Sequence, residues 1–145
     1  MPVLVVKYKE GAVKMVTLSK DMEVGVLEID TQHKELVDRL NALMSMGHDA
    51  ASKEETQKTI DLLEEYIVKH FADEEELQRK NKYPEYESHK KMHELYIGEF
   101  QKLKKEFADN GHSLKFTMDL NNSLINWIVK HIKSADVELG KFLRG

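Results

Sequence analysis

The chain has 145 residues, a formal net charge of -4, 33% charged and 41% hydrophobic residues, and no cysteine. That length predicts one domain with one core, and the scattered Lys and Arg offer no basic stripe, so nucleic acid is excluded as a partner. Lack of cysteine removes disulfides, zinc–thiolate sites and iron–sulfur clusters, and no apolar run approaches the roughly 18 residues of a membrane span, so the expectation is a cytoplasmic protein with no membrane partner.

Residues 1–22 read as an N-terminal arm. Two β-prone runs, Val3 to Tyr8 and Ala12 to Leu18, flank Glu10 and Gly11 and predict an extended arm or a hairpin. Residues 23–145 read as one bundle domain. Its first helix begins between Val24 and Asp30 and ends near Gly47, with a buried stripe of Ile29, His33, Leu36, Leu40 and Leu43.

Ser52 and Glu55 form a capping box that starts the second helix, which runs to about Arg79 with the stripe Ile60, Leu63, Ile67, His70, Glu74, Leu77. Pro84 suits the first turn of a third helix reaching about Ala108, striped by Tyr86, His89, His93, Tyr96, Phe100, Leu103 and Phe107. Asn110 and Gly111 end it. The fourth runs from Ser113 to at least Lys133, with Leu114, Asn121, Leu124, Ile128 and His131 on its seam and a short helical piece from Val137 to Leu143 beyond. Short connections predict an all-α, antiparallel up-down-up-down four-helix bundle.

Five histidines and one glutamate therefore occupy positions where periodicity asks for Leu. A lone seam histidine is ordinarily a hydrogen-bonded core residue. Clustering changes that, because His33, His70, Glu74, His89, His93, His131 and Asp136 in one core carry a severe desolvation cost unless they bind a cation. His89 and His93, four apart, lie about 40° apart around a helix, close enough to share one ion. His48 and His112 lie beside Gly47 and Gly111 in the connections and read as solvated surface residues. Tyr66, Tyr86 and Tyr96 read as packing residues.

His131 and Asp136 are five apart, roughly 140° on a straight α-helix, and cannot converge there. A π-bulge or break between Ile132 and Asp136 is required to turn the carboxylate inward. If Glu74 and Asp136 each bridge two metal ions together with an oxide or hydroxide, the histidines divide three and two. One ion is then closed and the other keeps an open position for a small ligand. Imidazole-rich, thiolate-free ligation suits iron best, with manganese or zinc as other occupants.

The chain resembles the hemerythrins, and in particular the bacterial hemerythrin-like domains, from about Glu23 to Leu143. The resemblance rests on Ile29-Asp30-Thr31-Gln32-His33, on His70-Phe71-Ala72-Asp73-Glu74-Glu75, on Tyr83-Pro84 leading to His89-Lys90-Lys91-Met92-His93, and on Trp127 to Asp136. Any one fragment is weak; all four in order are specific. Leu18 stands where bacterial members often carry Trp.

The resemblance implies a non-haem di-iron centre that binds dioxygen reversibly. By the same resemblance His89, His93 and His131 hold the closed iron, His33 and His70 hold the open one, and Glu74 and Asp136 bridge them. Leu36, Trp127 and Ile128 are expected to wall the oxygen pocket. The expected function is oxygen storage, transport or scavenging, not catalysis. An oxygen or redox sensor, and a di-iron oxidase or peroxidase, are the competing classes. No protein partner is indicated.

Overall fold

The computed structural model describes residues 5–9, 13–48 and 51–145. A hairpin comes first: β1 (Val5–Lys9) pairs antiparallel with β2 (Val13–Thr17), with Val6 opposite Val16. Of the two forms expected for the arm, this is the hairpin; residues 1–4 and 10–12 lie outside the described residues. A two-stranded hairpin is marginal alone, and this one is pinned to the bundle. Asn41, buried on the first helix, accepts from the Val16 N–H at 2.8 Å and donates to the Val16 carbonyl at 2.6 Å, taking the place of a third strand. Val16 itself enters the core.

Four antiparallel helices follow: α1 (Leu27–His48), α2 (Lys53–Lys80), α3 (Tyr86–Asn110) and a fourth that starts as α4 (Leu114–Asp119). Asp30 on the first turn of α1 accepts from the Val24 and Gly25 N–H groups at 2.8 and 3.0 Å, fixing the chain's entry angle. Ser52 caps α2 by accepting from the Glu55 N–H at 3.1 Å. Pro84 precedes the cap of α3, which is Glu85, so α3 starts two residues later than the proline suggests. Ser113 accepts from the Phe116 N–H and starts α4.

The fourth helix is continuous but irregular. After α4 come a π segment (Leu120–Ile125), α5 (Asn126–His131), a second π segment (Ile132–Asp136) and α6 (Val137–Arg144). The second is the expected break; the first is not foreseen. Each π turn adds a residue, which displaces later positions by about 100° relative to an α period. The seam read from uniform spacing is therefore wrong at its start. Leu114 is 76% exposed, Asn121 is half-buried, and Phe116 and Leu120 fill the core in their place. Gln78 likewise replaces Leu77, half-buried, as the buried residue one turn beyond Glu74.

The main core joins Leu36, Leu40, Ile60, Leu63, Phe71, Phe100, Phe107 and Ile128 along the bundle axis. Val24, Ile29 and Leu139 make a smaller cluster at the end where α1 begins. Among the described residues, no helix is long and apolar enough to cross a membrane.

Candidate metal centre

The four helices contribute unequally to one buried polar cluster. α1 supplies His33, α2 supplies His70 and Glu74 one turn apart, α3 supplies His89 and His93 one turn apart, and the irregular fourth helix supplies His131 and Asp136. None of these residues is more than 4% exposed. The second π segment brings Asp136 Oδ1 to 3.2 Å from His131 Nε2.

The cluster divides into two overlapping groups. Glu74, His89, His93, His131 and Asp136 form one, and His33, His70, Glu74 and Asp136 form the other, with the facing donor atoms in each lying within 4.8 Å of one another. Both carboxylates belong to both groups.

The spacing fits metal coordination. With metal–nitrogen bonds near 2.1 Å, two ligands at right angles sit about 3.0 Å apart. His89 Nε2 lies 2.9 Å from Glu74 Oε1, 3.0 Å from Asp136 Oδ1 and 3.1 Å from His131 Nε2, and His93 Nε2 lies 3.2 Å from Glu74 Oε1. In the second group His33 Nε2 is 3.0 Å from Asp136 Oδ2 and His70 Nε2 is 3.4 Å from Glu74 Oε2.

Apart from the His89 Nε2–His131 Nε2 contact, this proximity is not hydrogen bonding. His33 Nε2, His70 Nε2, His93 Nε2, both Glu74 oxygens and Asp136 Oδ1 are buried with no hydrogen-bond partner. Each such group costs about 1–3 kcal/mol if left unmatched, more when charged. Close approach without hydrogen-bond alignment is what atoms aimed at a shared point produce, and a cation at that point removes the cost.

The outer edges of the rings are held. With Nε2 turned inward, the His70 Nδ1–H donates to Gln32 Oε1 at 2.6 Å, and Gln32 Nε2 donates to Asp73 at 2.9 Å. The His93 Nδ1–H donates to Glu75 at 2.9 Å. Such partners fix the tautomer and raise the basicity of the inward nitrogen. Phe71 stacks on His93 at 3.9 Å, and Trp127 stacks on His131 at 4.8 Å.

Gln32 and Glu75 were missed by sequence reasoning. Each adjoins a cluster residue, but helical periodicity does not say that Gln32 of α1 reaches His70 of α2.

Electrostatics keep the carboxylates ionised. Burial opposes this, but neighbouring imidazoles outweigh it and hold Asp136 well below the usual range and Glu74 below it. Burial pushes His70 down to about 4, leaving it neutral at pH 7. For His89 burial is overcome by Asp136 and Glu74, which lift it to about 9.

Leu36 and Ile128 are buried in the core, and Trp127 is half-buried between Tyr96 and His131. His112 is exposed, as expected of a surface residue, although its Nε2 lies 2.8 Å from the hydroxyl of the wholly buried Thr56 and its ring packs on Phe107. The side chain of His48 lies outside the described residues.

A four-helix bundle that focuses five imidazoles and two shared carboxylates in its core has two overlapping donor groups, each able to hold a cation. The chain belongs to the hemerythrin HHE cation binding domain family, whose profile matches residues 24–143. It is 34% identical over 122 residues to a bacteriohemerythrin of Pseudomonas aeruginosa, covering 80% of this chain and 73% of the relative. A bacteriohemerythrin of Methylococcus capsulatus is 32% identical over 79% of this chain and 85% of its own. A myohemerythrin of Sipunculus nudus is 32% identical, covering 74% and 77%. A crystal structure of wild-type hemerythrin superimposes with a TM-score of 0.69 at 30% identity, covering 84% of this chain and 92% of that one.

Proposed function

We propose that this protein binds dioxygen reversibly at a non-haem di-iron centre and serves oxygen storage, transport or scavenging, not catalysis. Oxygen binding at a di-iron site is the general property that the family relationship supports; the particular role is our reading. The observation that carries it is the unequal division of histidines, three and two, over the same two carboxylates.

In this reading His89, His93 and His131 would hold one iron, His33 and His70 would hold the other, and Glu74 and Asp136, which belong to both donor groups, would serve both. The iron pair, when bound, supplies the electrons by which dioxygen is taken up and released. The chain's own part is positioning and exclusion. Gln32 and Glu75 keep His70 and His93 in the tautomer that presents a lone pair inward. Leu36, Trp127 and Ile128 wall the side where dioxygen enters, and an apolar wall slows proton delivery and side reactions with water. Residues 1–22 form an arm on a single domain of residues 23–145.

The test is the visible spectrum of the reduced, iron-loaded protein before oxygen, after oxygen and after its removal. Reversible appearance of a charge-transfer band supports the proposal; irreversible oxidation in the first exposure contradicts it.

A further inference from the structure

We infer that the surface pocket over His89 is the port through which hydrated divalent cations reach the metal centre, an inference that rests on the di-metal reading above. The pocket has a volume of about 270 Å³ and lies between the start of α3 and the second π segment, with Tyr83, Glu85, Met92 and Glu138 among its walls and His89 lining it. Six waters around one ion take up roughly 180 Å³ at about 30 Å³ each, so an ion can enter with its hydration shell.

The charge of the pocket selects cations. Glu85 and Glu138 line it, and among the described residues no Lys or Arg does. Lys141 reaches Glu138 at 3.3 Å, but both of those side chains are more than 60% exposed, so solvent screens the pairing. A cleft lined by one sign of charge concentrates the opposite ion and speeds its capture.

His89 connects this pocket to the core. Its Nε2 touches Glu74 Oε1 at 2.9 Å and Asp136 Oδ1 at 3.0 Å, so both carboxylates lie one imidazole away from the pocket. His70 and His93 are tied at their outer nitrogens by Gln32 and Glu75, whereas the hydrogen bond of His89 is at Nε2. His89 also sits in the first turn of α3, where its N–H bonds the Glu85 carbonyl at 2.9 Å. A ring without an outer protein anchor, at a helix start and beside an acidic pocket, is suited to exchange the waters of an arriving ion for protein ligands.

The experiment follows Co²⁺ uptake by the metal-free full chain in a stopped-flow instrument. Quenching of Trp127, the one tryptophan of the chain and stacked on His131, reports arrival at the core, and cobalt absorbance reports coordination. The variants are E85Q/E138Q and M92K, which place less negative or added positive charge on exposed pocket residues. E54Q/E65Q, on exposed acids outside the pocket, controls for net charge. The port predicts uptake about 3- to 10-fold slower in both pocket variants at low salt, convergence with the parent near 0.5 M salt, and two Co²⁺ per chain at the end point throughout. Rates equal to the control overturn the port while leaving the metal centre intact. A lowered end point in E85Q/E138Q also overturns it, because those acids then act as ligands. Failure of the parent chain to take up Co²⁺ overturns the metal centre and the port together.

Discussion

His131 Nε2 and Asp136 Oδ1 lie 3.2 Å apart although they are five residues apart on one continuous helix. Only the extra residue of the Ile132–Asp136 π segment makes this possible, so the donor set depends on a backbone irregularity as much as on side-chain identity. Deleting Ala135 restores an α period and swings Asp136 by about 100°. Metal content is expected to fall from two ions per chain to one or fewer, measured by elemental analysis, with α6 loosened where Gly140 meets the Val24 carbonyl. Retention of two ions would contradict this role of the π segment.

Glu75→Leu and Gln32→Leu remove the acceptors of the outer His93 and His70 nitrogens while leaving all seven inward residues in place. Each is expected to weaken metal binding about 10- to 100-fold. Chelator competition measures the loss, and far-UV circular dichroism should show an unchanged helix content.

The metal-free protein should be most stable near pH 6.5. His70 has a folded pKa lowered to about 4 against an unfolded value near 6.5, so its contribution is full above 6.5 and is lost as pH falls toward 4. His89, raised to about 9, contributes fully below 6.5 and its contribution is lost as pH rises through 9. Asp136 and Glu74, both lowered, add a further loss on the acid side. Urea midpoints at pH 4.5, 6.5 and 9 should peak at the middle value; a steady rise with pH would refute the balance described.

Asn41→Leu removes both bonds that pin the hairpin at Val16 and leaves the Val16 backbone groups unmatched. The expected cost is about 2 kcal/mol, read as a lower urea midpoint. Because Asn41 lies two turns beyond His33, metal stoichiometry should not change.

Much of this architecture was legible in sequence because buried stripes obey a period. His33, His70, His89 and His93 fall on regular α-helices, and the same counting that places Leu63 and Phe100 in the core places them there. Asp136 was legible for the opposite reason, since its spacing from His131 violates the period. The π segment at Leu120–Ile125 carries no comparable contradiction, so uniform spacing places Leu114 on the seam and passes over Phe116. The Tyr96 hydroxyl bonds the Leu124 carbonyl within that segment at 3.2 Å, a contact between helices that no local pattern encodes. Gln32 and Glu75 were hidden for the same reason: their roles depend on which helix lies beside which.

The proposed function requires that the overlapping donor sets hold two irons and bind dioxygen reversibly. Its most direct measurement is iron content together with the visible spectrum of the reduced, anaerobic protein through a cycle of oxygen addition and removal. Two irons per chain are expected, with a charge-transfer band that appears with oxygen and disappears under vacuum. One iron or none after loading, or a band that vacuum does not remove, would contradict it.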